Sequence, residues 1–176
     1  MSVDQPLAVI GLTNPQSPSN VGSVLRAARC FAADQILFSG TRFERARKFH
    51  TDTQAADNPV PLIHCEDFFH AIPEDCAVVC VDLIEGATPL SDFEHPPRAL
   101  YLFGPEDGSI DQATIDRADH VVYIPTIGCL NLAATANVVL YDRAAKRPKV
   151  AVGDDQIRLS RDQNNATRVK KGASEE

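Results

Sequence analysis

The sequence predicts an α/β domain built on a parallel, doubly wound sheet, and three observations lead there. Short runs that are apolar throughout recur along the chain, as strands buried on both faces require. Between them lie segments whose apolar residues fall at helical spacing. The junctions carry Asn-Pro, Ser-Gly and Gly-Pro, the residues of turns. One domain over residues 1–147, followed by a polar, flexible tail over 148–176, is the expected organisation.

PLAVIGLTN (6–14) reads as the first strand, closed by Asn-Pro. Val21, Val24, Leu25, Ala28, Phe31 and Ala32 then mark a helix over 20–33, with Ser19 or Asn20 as its N-cap. QILFSG (35–40) is the second strand and its turn, RFERARKFH (42–50) a short basic helix or loop, and TDTQAADNP (51–59) an irregular connection. VPLIHC (60–65) gives a third strand, EDFFHAI (66–72) a short helix, and CAVVCVDL (76–83) a fourth strand. A loop over 86–97 leads to RALYLFG (98–104), the fifth strand; DQATIDRA (111–118) is a helix and HVVYIP (120–125) the sixth strand. The last helix, 131–146, contains LAATANVVL, apolar nearly all round, which suits burial on more than one side. Its Ala133, Ala134 and Ala136 suit close packing under the sheet and against a second subunit.

Charge is unevenly placed. Six Lys/Arg stand against three Asp/Glu in residues 1–50, four against sixteen in 51–146 and seven against five thereafter, for a net −7. Such a body does not bind polyanions over its whole surface, but Arg26, Arg29, Arg42, Arg45, Arg47 and Lys48 can form a basic patch for nucleic acid. A solvated helix face is the competing reading of the same cluster. No basic leader or membrane-length apolar run is present, so a cytoplasmic protein without membrane partners is expected. The five cysteines lack a C-x-x-C pair and read as reduced, mostly buried thiols; the five histidines have no ligand spacing, and no metal is expected. The dinucleotide, P-loop, H-E-x-x-H and G-x-S-x-G signatures are missing.

Ligands of open parallel sheets bind outside the carboxyl ends of strands. Three such ends are chemically unusual: NPQSPSNVGSVLRAAR (14–29), FGPEDGSI (103–110) and IPTIGCLN (124–131). Taken singly, their residues have plain explanations. Asn20 and Asn131 suit helix caps, Arg26 an exposed helix arginine, and Glu106 a loop carboxylate paired with a lysine.

Taken together, N-x-G-x-x-x-R-x-A (Asn20, Gly22, Arg26, Ala28), F-G-P-E (103–106), and I-P followed by L-N (Ile124, Pro125, Leu130, Asn131) resemble the SpoU-type, TrmH-like RNA methyltransferases of the SPOUT superfamily, in order and spacing over residues 6–146. The resemblance implies a C-terminal trefoil knot, S-adenosylmethionine as donor, and a ribose 2′-hydroxyl of RNA, more often tRNA than rRNA, as acceptor. It also implies a homodimer that shares the RNA site. Gly104, Ile124 and Leu130 would offer backbone groups to the cofactor, with Asp82, Cys129 and Asn131 lining the same place. Arg26, Asn20, Glu106 and Asn131 would form the catalytic set. The chain departs from the pattern at Cys129 and Ala133, both commonly Ser, at Ser109, commonly Gly, and in a shortened loop before Leu130. A non-catalytic RNA-binding protein on the same fold is the competing reading, with a base-methylating relative behind it.

A guanidinium stays protonated near neutrality, so Arg26 is expected to hold an RNA phosphate and steady the developing alkoxide rather than to act as base. The basic stretch 42–48 and the tail residues Arg158, Arg161, Arg168, Lys170 and Lys171 are expected to face the RNA.

Overall fold

A computed structural model describes residues 5–47, 60–147 and 152–169. Its elements are β1 (Leu7–Leu12), α1 (Pro18–Cys30), β2 (Gln35–Phe38), α2 (Arg42–Arg47), β3 (Leu62–His64), β4 (Ala77–Val81), β5 (Thr88–Pro89), β6 (Arg98–Phe103), α3 (Gln112–Arg117), β7 (His120–Tyr123), α4 (Leu132–Ala145) and α5 (Asp154–Ser160). The chain divides into two units, the first ending at Lys146.

In the first unit the strands form one seven-stranded sheet, ordered β3-β2-β1-β6-β4-β7-β5, with every pairing parallel. Period-two alternation sends β1 and β6 residues to opposite faces. Ala8, Ile10, Leu12, Tyr101 and Phe103 join Val21, Val24 and Leu25 of α1 and Leu132, Ala136, Val139 and Leu140 of α4 on one face. Val9, Leu100 and Leu102 join Val78, Cys80 and Phe68 on the other, with Ile115 of α3 packed against them. Both faces are covered, which explains why the strands are apolar throughout.

Several expectations are corrected. Helix α1 begins two residues before the expected start, because Pro18 supplies a helical φ at the first position and the Ser17 hydroxyl accepts from the Asn20 amide at 3.3 Å; Ser17, not Ser19 or Asn20, is the cap. The segment 66–72 forms turns rather than a helix, held by Asp67 accepting from the Phe69 amide at 2.8 Å. A seventh strand, β5, lies within the supposed loop 86–97 and pairs with β7 through Thr88 and Pro89, too short to show any period. Helix α4 packs one side on the sheet and leaves Val138 and Tyr141 exposed on the other, the side expected to face a second subunit. Of the thiols, Cys76 and Cys80 are buried, while Cys30 and Cys129 are exposed. In the second unit, α5 lies within the polar tail, and its Arg158 pairs with Asp154 and Asp155. The connection 51–59, Lys48, and tail residues Lys170 and Lys171 lie outside the described residues.

At the amino edge of the sheet, α4 is fastened by polar groups. Arg143, 3% exposed, donates to the carbonyls of Leu7 (3.1 Å), Pro96 (2.6 Å) and Pro97 (2.8 Å) and to the Tyr101 hydroxyl (3.0 Å). His95 bridges the Tyr101 hydroxyl (2.7 Å) and Asp142 (2.8 Å), and Lys146 reaches the carbonyls of Leu90, Ser91 and Phe93 as well as Asp142.

Candidate active site

Strands β6, β4 and β7 are neighbours, so their carboxyl ends open side by side. A cleft there is lined by Val81, Asp82, Leu83, Phe103, Gly104, Glu106, Ile124, Thr126, Cys129, Leu130, Leu132 and Thr135. It offers about 130 Å³, roughly ten times what one water molecule needs, so it suits an organic ligand rather than a buried solvent site. Five expected cofactor residues, Asp82, Gly104, Ile124, Cys129 and Leu130, come together in its wall.

Local chemistry shapes each wall. A Cβ at Gly104 would stand 3.1 Å from the Ile110 amide nitrogen, so a side chain there would push the β6–α3 loop away. Asp82 pins the same loop: one carboxylate oxygen accepts from the Ile110 amide at 2.9 Å and the other from the Leu83 amide at 2.7 Å. The Thr126 hydroxyl donates to the Gly128 carbonyl at 2.6 Å and tightens the turn that carries Cys129 and Leu130. Asn131 does not line the cleft. Its Oδ1 caps α4 by accepting from the Ala134 amide at 2.7 Å, which fixes Leu130 and Leu132 on either side of it.

Glu106 joins this cleft to the loop before α1. Its carboxylate accepts from the backbone amides of Gln16 (2.8 Å) and Ser17 (3.0 Å) and from the Asn20 side-chain amide at 3.3 Å. Partial burial pushes the Glu106 carboxyl up, but these donors outweigh it and hold the group below the usual carboxylate range. A carboxylate so satisfied is a weak proton acceptor near neutral pH; its part here is to hold the loop before α1.

Asn20 and Glu106 therefore meet as expected, whereas Arg26 does not touch them. It is exposed on α1, about 9 Å further along the axis from Asn20, and among the described residues it has no hydrogen bond or ion pair. Arg29 and Arg45 are also exposed, and nothing is described for the Arg47 side chain. Arg42 departs from its expected part in an open basic patch. Its guanidinium forks onto Asp107, with contacts of 2.8 to 3.0 Å, and donates to the Asn14 carbonyl at 3.1 and 2.8 Å. That pairing raises the Arg42 pKa and lowers that of Asp107.

Sequence reasoning missed Val81, Leu83, Thr126, Leu132 and Thr135 in the cleft. Thr135 was within reach, since it stands one helical turn after Asn131. The Arg42–Asp107 contact joins residues 65 apart, and no local pattern could show it.

The fold and the site define a parallel α/β domain with a cleft of small-molecule size at the carboxyl ends of β4, β6 and β7, beside an α1 loop anchored by a carboxylate. The family model described as the SpoU rRNA Methylase family matches residues 7–141, and the chain belongs to that family. It is 25% identical over 146 residues to a 23S rRNA (uridine(2479)-2'-O)-methyltransferase of Streptomyces viridochromogenes, covering 76% of this chain and 50% of that protein. The chain thus spans about half the length of that curated relative. The crystal structure of the SpoU methyltransferase AviRb from the same organism has a TM-score of 0.64 at 22% identity, over 83% of this chain and 63% of that one; AviRb has also been solved with AdoMet. A structure described as concerning 2-OH methylation of C/U34 on tRNA has a TM-score of 0.62 at 22% identity, over 78% of this chain and 94% of that one. These likenesses agree with the seven-stranded parallel fold. Among the described residues no helix is long and apolar enough to cross a membrane, and no cluster of His, Cys, Asp and Glu could hold a metal.

Proposed function

We propose that this chain is an S-adenosylmethionine-dependent RNA methyltransferase domain acting on a ribose 2′-hydroxyl, with tRNA as substrate. The observation that carries the reading is the convergence of three distant strand ends on one cleft, with Glu106 tying it to the loop that starts the Arg26 helix. The lining fits the donor: Leu83, Phe103, Ile124, Leu130 and Leu132 give flat apolar contact for a base, and Asp82 and Glu106 complement a cation. S-adenosylmethionine supplies an electrophilic methyl group on a sulfonium. The backbone at Gly104, Ile124 and Leu130 would orient the ligand, and Cys129 would line its outer end. Asn131 would keep the α4 turn in place.

Arg26 then holds the RNA phosphate beside the reacting hydroxyl and stabilises the oxyanion as its proton passes to water. Exposed Arg29 and Arg45 extend the same cationic track. We further propose a homodimer through the outer side of α4, where exposed Val138 and Tyr141 lie, Tyr141 edge-on to Phe31 with ring centroids 6.4 Å apart. The trefoil knot that the resemblance implies belongs to this reading as well; what the structure displays is the parallel sheet with α4 packed on the face that holds α1.

Calorimetry with S-adenosylmethionine tests the donor site, and nucleoside mass spectrometry of tRNA and rRNA from cells with and without the protein tests the product. Donor binding together with loss of a 2′-O-methyl nucleoside from tRNA is the expected result. Loss confined to rRNA would move the substrate, and no donor binding would favour the non-catalytic RNA-binding reading.

A further inference from the structure

The neighbours Glu106 and Asp107 grip the same loop by different routes. Glu106 accepts directly from the amides of Gln16 and Ser17. Asp107 acts through Arg42, whose guanidinium bonds both the Asp107 carboxylate and the Asn14 carbonyl. The loops after β1, β2 and β6, three adjacent strands, thus meet at one guanidinium. Their approach is already close: Gly40, with φ of +73°, leaves room for the Asn14 side chain, which any Cβ there would strike.

Arg42 is also the first residue of α2, the helix that carries exposed Arg45. The side chains of Arg42 and Asp107 are 30% and 59% exposed, and ion pairs in such surroundings contribute little to folding. Two-pronged geometry, however, fixes direction as well as distance. The fork therefore has little to give stability and much to give alignment.

We propose that Asp107 and Arg42 are a positioning pair, which holds the basic helix α2 in register with the Glu106-anchored loop so that an RNA backbone crossing α2 is presented to the cleft. The inference rests on the RNA methyltransferase reading and concerns RNA presentation alone. It predicts an effect opposite in sign to simple electrostatics. Removing the Asp107 charge makes the surface less negative and, by charge alone, should tighten RNA binding. Loss of alignment should weaken it.

The test compares the wild-type chain with Asp107→Asn and Asp107→Glu. Each is measured for binding to unfractionated tRNA and rRNA by fluorescence anisotropy, for donor affinity by calorimetry, and for the KM and kcat of methyl transfer. Asp107→Asn should weaken RNA binding and raise the RNA KM by about tenfold. Donor affinity and kcat should stay within about twofold of wild type, and Asp107→Glu should recover most of the loss. Unchanged or tighter RNA binding by a folded Asp107→Asn variant overturns the pair's role, as does an equal loss in Asp107→Glu. If the wild type binds RNA but neither binds donor nor transfers methyl, the methyltransferase reading fails while the anisotropy arm still decides the pair. No RNA binding by the wild type overturns both.

Discussion

The two edges of the sheet use polar groups in opposite ways. At the amino edge, Arg143 is buried, and its donors satisfy carbonyls of β1 and of the segment entering β6. At the carboxyl edge, Glu106 and Asp107 are exposed and hold loops whose own backbone stays near solvent. A buried charge costs several kcal/mol when its partners are lost, whereas an exposed one is readily replaced by water. The amino edge is therefore where the fold is secured, and the carboxyl edge is where geometry is set for a ligand.

Substitutions at each edge should separate these roles. The largest effect is expected from Arg143→Ala, which removes a donor from the carbonyls of Leu7, Pro96 and Pro97, the last still held by the Leu7 amide at 3.0 Å, and removes a partner of Tyr101. Chemical denaturation should show a loss of about 2–4 kcal/mol, since each buried acceptor left without a donor costs about 1–3 kcal/mol. A loss under about 1 kcal/mol would contradict the contrast between the edges.

On the other edge, Arg26→Lys keeps the charge but not the planar fork. Methyl transfer should fall about a hundredfold, equivalent to about 2.7 kcal/mol in the barrier, with little change in melting temperature. Wild-type turnover in that variant would sink the proposed role of Arg26. Glu106→Gln should be milder, about tenfold in methyl transfer, because an amide retains one acceptor oxygen for the loop amides but loses the charge. Since the folded carboxyl titrates below its ordinary range, the contribution of Glu106 is complete above the unfolded pKa near 4.5 and is lost as pH falls through the lower folded value. Activity profiles of wild type and Glu106→Gln should therefore converge in acid.

The subtlest effect concerns His95. Its Nδ1 can accept from the Tyr101 hydroxyl, which itself accepts from Arg143, while Nε2–H donates to Asp142; the neutral ring satisfies every contact. Burial lowers its pKa, helped by Arg143 and Lys146, although Asp142 pulls the other way. With the folded pKa below the unfolded one near 6.5, the contribution is whole above pH 6.5 and declines as pH falls through the folded value. Urea midpoints of wild type should drop between neutrality and mild acid more than those of His95→Gln; parallel curves would remove His95 from the account.

Much of the site was legible in the sequence. The turns were legible because Gly, Pro and Asn follow apolar runs, but the cleft residues Gly104, Ile124 and Leu130 were singled out by the F-G-P-E and I-P…L-N motifs that resemble the SpoU-type methyltransferases. Asn20 and Glu106 were likewise paired by motif and meet in space. The local signals failed where a partner from elsewhere decided the outcome. Residues 66–72 carry apolar side chains suited to a helix, but Phe68 enters the core beneath the sheet and Asp67 turns the chain. Arg42 looked like one more cation of a basic run until Asp107 claimed it.

The sequence alone determined six of the seven strands and the order of α1, α3 and α4 among them, the apolar character that requires a sheet covered on both sides, and the three turns that carry the motif residues. These follow from backbone propensity and from burial period, which depend on neighbours along the chain. Only the tertiary structure decided that β6 lies between β1 and β4, that Glu106 and Asp107 reach back some ninety and sixty-five residues to Gln16 and Arg42, and that Arg143 secures the opposite edge. Those pairings depend on which strand ends become neighbours in space, and the packing of the whole sheet sets that adjacency.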